Sequence, residues 1–346
     1  MASRVKVQTS ARRGVRGRVA SSSSPRVQVS EMQRSRLLSA AAATVEELGW
    51  SSASVAHITA RARVSRRTFY ELFDNREDCL LAILEDVVAQ IEDEIAAADP
   101  AALPWRERVR AGLWTILCFF DREPALARVC VAQALRGGPR VLARREEILA
   151  RLASAVDEGR VENARARECP SLTAEGLVGA TLSIVHTRLT RGERGPLGEL
   201  FGELMGMIVL PYLGPAAARR EQRGTRTFSS GRKMPAGLKS PTRLPELALE
   251  DPLAGVPMRL TYRTALVLEA IAKRPGVSNR VVADLADVSD QGQISKLLAR
   301  LQRLGLIANA GAGHAKGEPN AWTLTALGHQ VAQRLGTNTR DERTVA

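Results

Sequence analysis

The sequence predicts a mostly α-helical chain: an all-helical N-terminal two-thirds, a flexible basic linker, and a compact C-terminal module of helices with a small β-hairpin. Three observations carry that prediction. Apolar residues recur at helical spacing through most of residues 31–215 and again over about 256–335. Between them lies a stretch rich in Arg, Ser, Gly and Pro and poor in apolar residues, too little to offset the entropy of ordering. The runs with strand character, Leu306-Ile307-Ala308 and Ala321-Trp322-Thr323-Leu324, flank the glycine-rich segment Asn309–Asn320, as in a hairpin with a long tip.

The chain has 346 residues and a formal charge of +13, so its length alone suggests two or three domains. The positive excess is local. Residues 1–30 hold seven basic side chains and no acid, and residues 216–243 hold eight with Glu221 as their one acid. Charge of this kind suits either a solvated tail and linker or two arms that neutralise DNA phosphates. No uncharged stretch approaches the 20 or so apolar residues of a membrane span. No apolar run follows the basic N-terminus, so it does not read as a secretory signal. Cys79, Cys118, Cys130 and Cys169 lack C-x-x-C spacing and fit a reducing cytoplasm rather than a disulfide frame or a zinc site. The expected layout is a disordered basic arm (1–30), a DNA-binding module (31–96), a helical domain (97–215), a linker (216–255), a second module (256–336) and a disordered tail (337–346).

Residues 31–48 carry Leu37, Leu38, Ala41, Val45 and Leu48 at helical spacing, and Gly49 stops the helix. Ser54 then caps a short helix with Val55, Ile58 and Ala62 inward. A turn at Arg63-Val64-Ser65 leads to a second short helix, Arg66-Arg67-Thr68-Phe69-Tyr70-Glu71-Leu72-Phe73, capped by Ser65. A long helix follows from about Arg76. Two short helices, a tight turn and a basic start to the second make a helix-turn-helix.

The run from Ser54 through Ala62-Arg63-Val64-Ser65, Thr68-Phe69-Tyr70 and Phe73 to Leu80 resembles the N-terminal domain of TetR-type transcriptional repressors over about 50 residues. The resemblance implies an all-α dimer whose N-terminal module binds double-stranded DNA and whose larger domain binds a small effector. It departs from the family at Arg63, where the family usually has glycine; a left-handed side chain there costs on the order of 1 kcal/mol. Chemistry and resemblance together give roles. Arg66 and Arg67 suit guanine edges, and Thr68 a base methyl or a phosphate. Ser54, Ser65, Tyr70 and Arg76 read as phosphate or DNA-facing contacts. Phe69 and Phe73 read as core plugs, and His57 as a surface residue.

Residues 97–214 predict about five helices, near 104–121, 124–136, 139–163, 173–190 and 196–213. Leu197, Leu200, Phe201, Leu204 and Ile208 form a stripe on the last, and Gly202 and Gly206 permit close approach. That stripe reads either as one monomer's core or, with the resemblance, as a homodimer face built from helices 173–190 and 196–213. Trp114, Cys118 and His186 are the pocket residues expected to meet an effector, weighed against plain core.

The C-terminal segment reads as helix, helix, helix, hairpin and helix. Its second turn, Ala286-Asp287-Val288-Ser289, occupies the place that Ala62-Arg63-Val64-Ser65 occupies in the first. The run Ser295, Leu298, Arg300-Leu301, Gly305-Leu306-Ile307, Leu324-Thr325 and Gly328 resembles MarR-type winged helices over about 75 residues. Gln291, Gln293, Ser295, Lys296 and Arg300 form the polar face of its third helix, and His314 and Lys316 the wing. These are expected to extend DNA contact, although Asp284, Asp287 and Asp290 also suit a protein-contact module. No P-loop, G-x-S-x-G, H-E-x-x-H or dinucleotide fingerprint occurs, so the expectation is a dimeric, cytoplasmic DNA-binding regulator without enzymatic activity, cofactor or metal. A sequence-nonspecific DNA organiser is the other class.

Overall fold

In a computed structural model the chain is described over residues 25–97, 103–162, 164–191, 195–226, 261–311 and 319–335. The predicted mostly helical fold with one small C-terminal hairpin is the fold observed.

The first helix, α1 (Pro25–Leu48), begins six residues before the start expected at residue 31, because its first turns have a core of their own to pack against, where Val29 is buried. Gly49, at φ 73°, ends it. Then come α2 (Val55–Ala62), α3 (Arg66–Leu72) and the long α4 (Arg76–Ala97). Leu37, Leu38, Val45, Ile58, Phe69, Phe73, Leu80 and Ile83 close one core between them.

That core runs on without a break into the larger helical domain. Its helices are α5 (Trp105–Arg122), α6 (Pro124–Arg128), α7 (Pro139–Asp157), the single turn α8 (Gly159–Glu162), α9 (Thr173–Arg191) and α10 (Phe201–Leu213). The helix expected at 124–136 divides: α6 gives way to a π turn at Val129–Gln133 and a 3-10 turn at Ala134–Arg136. The linker also begins later than expected. A further helix, α11 (Pro215–Arg226), packs back along α10. It is held by Glu221, buried between Arg106 (2.5 Å) and Arg110. Gly206 faces α11 across this contact, so the close approach expected at that glycine is made within the chain.

The C-terminal module comprises α12 (Tyr262–Lys273), α13 (Asn279–Leu285), α14 (Gln291–Arg303), β1 (Ile307–Asn309), β2 (Trp322–Leu324) and α15 (Ala326–Arg334). β1 and β2 pair antiparallel with Ala308 opposite Thr323. Leu268, Ile271, Ile294, Leu298, Leu301, Leu306 and Trp322 form its core. Two residues of that core come from the far end of the sequence: Val29 and Met32 of α1, 4% and 6% exposed. One helix thus serves both modules.

Candidate nucleic-acid interface and effector cavity

The first helix-turn-helix is built by its caps. The Ser54 hydroxyl accepts from His57 N (3.2 Å) and starts α2; the Ser65 hydroxyl accepts from Thr68 N (2.9 Å) and starts α3. Both serines therefore satisfy orphan amides of a helix start. Arg63 ends α2 in the left-handed region, at φ 53° and ψ 37°, where the resembling family has glycine. Val64 fills the turn and Ala62 lets the helices close.

Phe69 is fully buried and Phe73 nearly so, which leaves the exposed face of α3 to Arg66, Arg67, Tyr70 and Glu71. Tyr70 is 57% exposed, with its ring edge-on to Phe69 (5.4 Å between centroids). Arg67 Nε donates to Glu71 Oε1 (2.8 Å), and that carboxylate pushes the arginine's pKa up. Thr68 is half-buried, its hydroxyl 2.8 Å from that of Ser65. Arg76 departs from the phosphate-contact expectation. Its Nη1 donates to Trp50 O (3.1 Å) and Ala53 O (2.6 Å), and its guanidinium lies over the Trp50 ring (4.7 Å). Its charge is used to close the loop before α2, because the start of α4 faces that loop's carbonyls.

The second helix-turn-helix repeats the first's frame: Asp287 is also left-handed (φ 51°), and Val288 also fills its turn. The cap of α14 is Asp290, which accepts from Gly292 N (2.7 Å) and Gln293 N (3.1 Å). These two amides hold its carboxyl below the ordinary carboxylate range. Of the five polar residues expected to face DNA, two are tied within the module. Gln293 Oε1 accepts from Arg263 (2.7 Å), and Ser295 Oγ lies 3.5 Å from Asn279 Nδ2. Gln291, Lys296 and Arg300 are exposed. His314 and Lys316 lie outside the described residues.

Two apolar cavities, of about 360 and 250 Å³, lie between α4, α5, α7 and α9. They share Ile95, Ile116, Phe120, Leu149, Leu152 and Leu182, so only side chains divide them. Thr181 lines the larger, and its buried hydroxyl has no hydrogen-bond partner. The Arg108–Glu158 ion pair (2.6 Å) sits at the same cavity's edge. Trp114, Cys118 and His186 line neither cavity. Trp114 turns to Phe201 of α10 (5.3 Å between centroids), because successive residues on α5 diverge by about 100° and the cavity takes the face of Gly112, Ile116 and Phe120. Burial pushes the Cys118 thiol up to about 11, and His186 is half-buried on α9. Sequence reasoning missed Thr181, which carries no motif.

The stripe expected to pair two copies is largely occupied at home. Phe201, Leu204 and Ile208 are buried inside the chain, Phe201 against Trp114 of α5 and Ile208 at the larger cavity. The outward face of α9 is uncharged through its middle turns instead, presenting Gly176, Gly179, Ala180, Ser183 and Ile184 beyond the exposed Glu175. Among the described residues, no helix is long and apolar enough to cross a membrane, and no three His, Cys, Asp or Glu side chains are grouped to hold a metal.

Residues 37–83 match the family model of bacterial regulatory proteins of the tetR family. Uncharacterised HTH-type transcriptional regulators of Mycobacterium tuberculosis and Mycobacterium bovis are each 29% identical over 130 residues, 36% of this chain and 59% of theirs. The chain thus spans about three-fifths of the length of those relatives. Among solved structures, the fatty acid degradation regulator FadR of Bacillus halodurans aligns with a TM-score of 0.45 and 18% identity, over 50% of this chain and 96% of that one. FadR of Bacillus subtilis, solved in complex with stearoyl-CoA, aligns with a TM-score of 0.45 and 19% identity, over 52% and 97%.

Proposed function

We propose that the chain is a homodimeric transcriptional repressor of TetR type. Its α3 helices enter the major groove of a pseudo-palindromic operator, and an apolar effector in the cavity between α4, α5, α7 and α9 releases them. The observation that carries this reading is α3 itself: capped, anchored by Phe69, and presenting Arg66, Arg67 and Tyr70 outward. Arg66 and Arg67 read bases, and Tyr70 positions the backbone. Two such helices about one duplex turn apart, or a small multiple of it, read two half-sites. The pairing face in this reading is the uncharged side of α9 with the exposed Leu210 of α10, which sedimentation of the full chain tests. The site of action is the cytoplasm, where the chromosome lies. The C-terminal module acts as a winged helix that adds DNA contact.

The effector reading rests on walls that are apolar throughout their middle, with one unpartnered hydroxyl, Thr181. Such a site suits an apolar molecule bearing one hydrogen-bonding group. Gly112 lines the larger cavity and a Cβ there meets nothing within 4 Å, so the side chain of Gly112→Leu extends into this space. It is expected to abolish binding of the dye 1-anilinonaphthalene-8-sulfonate while leaving the thermal melt intact.

Binding of the full chain to the duplex upstream of its own gene, against random duplex at fixed salt, tests the DNA reading. A regulator favours its site by about a thousandfold or more. Arg66→Ala and Arg67→Ala each relax preference at one base position, at about 1–3 kcal/mol. Unchanged preference in both refutes the assignment. The charge of +13 favours a second reading, a nonspecific DNA organiser, for which the preference is near one and the salt dependence steep.

A further inference from the structure

Many arginines among the described residues are paired. Arg34 meets Asp86 (2.8 Å), Arg61 meets Glu47 (2.7 Å), Arg122 meets Glu94 (2.5 Å) and Arg144 meets Glu85 (2.8 Å). Three guanidinium groups without such a partner share one place. Arg63 and Arg66, from the first helix-turn-helix, and Arg300, from α14 of the second, line a single open cleft of about 500 Å³. Among the described residues, none of the three has a hydrogen-bond or ion-pair partner for its guanidinium, and no acid lines the cleft.

The cleft exists because the modules are docked. Val29 and Met32 are buried in the C-terminal module's core, and Arg26 lies over the Tyr262 ring (5.2 Å). That seat on the first turns of α1 brings the C-terminal turn of α14 beside the α2–α3 turn. Gathering three like charges without a counter-charge is unfavourable, and an entering anion reverses the sign. Guanidinium groups take phosphate oxygens bidentately, and the cleft adjoins the exposed face of α3.

We propose that Arg63 and Arg300, one from each helix-turn-helix, clamp a single phosphodiester of the bound duplex, with Arg66 at the clamp's inner edge turned to the bases. The two modules then form one grip on contiguous DNA. The clamp rests on the reading of α3 as the DNA-reading helix. Its own content is that the C-terminal module contributes through Arg300 at this phosphate and in this docked position.

The test uses the full-length chain and a duplex that wild-type protein selects from a random pool. Arg63 and Arg300 are exposed, so both alanine variants are expected to melt as wild type does. Arg300→Ala binds about tenfold more weakly near 0.1 M salt, its log-affinity against log-salt slope falls by about 1, and its base preference is unchanged. Arg63→Ala does the same. The double variant loses little more than either, since both side chains hold the same group. Ethylating one phosphate weakens the wild type and leaves Arg300→Ala unaffected. Met32→Asp, which undoes the docking, reproduces the Arg300→Ala loss. Wild-type affinity and slope in Arg300→Ala, tighter binding on its removal, or losses that multiply in the double variant overturn the clamp while α3 still reads DNA. A wild type that selects no duplex at all overturns the DNA reading and the clamp with it.

Discussion

Arg63 and Asp287 stand at the same place in two helix-turn-helix turns, both at positive φ. A left-handed backbone costs a side chain about 1–2 kcal/mol, but Asp is tolerated there better than Arg because its short polar group bonds locally. Glycine removes the strain and returns part of the gain as chain entropy. Arg63→Gly is therefore expected to raise stability by about 0.5 kcal/mol, and Asp287→Gly by less, in matched denaturant titrations. If Arg63 clamps a phosphate as proposed, the same Arg63→Gly change is expected to weaken DNA binding, so stability and affinity move in opposite directions. A loss of stability in Arg63→Gly counts against strain at this turn.

At the level of the element, α3 and α14 each depend on a cap. Ser65 starts α3 with a neutral hydroxyl, whereas Asp290 starts α14 with a carboxylate whose pKa the amides of Gln293 and Gly292 lower. A carboxyl depressed in the folded state adds stability above its unfolded pKa, about 3.9, and loses it as pH falls through the lower folded value. Asp290→Ala is thus expected to melt below wild type at pH 7, with the gap closing as pH falls below the unfolded value. A gap that persists in acid shows that the cap acts without its charge. The charge also accounts for one of the three aspartates whose presence near α14 suggested a protein-contact module: Asp290 serves its own helix.

For the whole molecule, the cavity and the first helix-turn-helix are mechanically joined. The first turns of α4 hold the loop before α2 through Arg76, and its later turns line the cavity with Leu84, Val88 and Ile91. The π turn makes a second connection: Cys130 and Val131 face the cavity, while Gln133 Oε1 accepts from Trp50 N (3.2 Å). A ligand that spreads these walls displaces both supports of the Trp50 loop. Coupling between two sites is reciprocal, so the selected duplex is expected to weaken binding of 1-anilinonaphthalene-8-sulfonate. Gln133→Ala shrinks that coupling. Equal coupling in the variant leaves α4 as the route. The domain boundaries have a practical consequence too. A chain cut at residue 215 removes α11 from α10 and uncovers Val29 and Met32, so binding experiments require the full length.

Local features were legible from residue order. Ser54 and Ser65 cap α2 and α3, Thr325 caps α15, the apolar periods place most helices within a few residues, and the glycine-rich run between two β-prone segments makes the hairpin. These depend on neighbours a few residues apart, which a sequence displays directly. What the tertiary structure alone decided is which polar and apolar groups meet at a distance. Arg76 looks like a phosphate ligand until the Trp50 and Ala53 carbonyls are found beside it. Trp114 and Cys118 look like pocket residues until the roll of α5 turns Gly112 and Ile116 to the cavity instead. The α10 stripe looks like an interface until Phe201 meets Trp114 of α5 and Ile208 lines the cavity, and Arg300 gains its neighbours only when α1 seats the C-terminal module. Helical periodicity gives a face but not its azimuth in the assembled core; long-range packing sets the azimuth, and with it which side chains remain for a ligand.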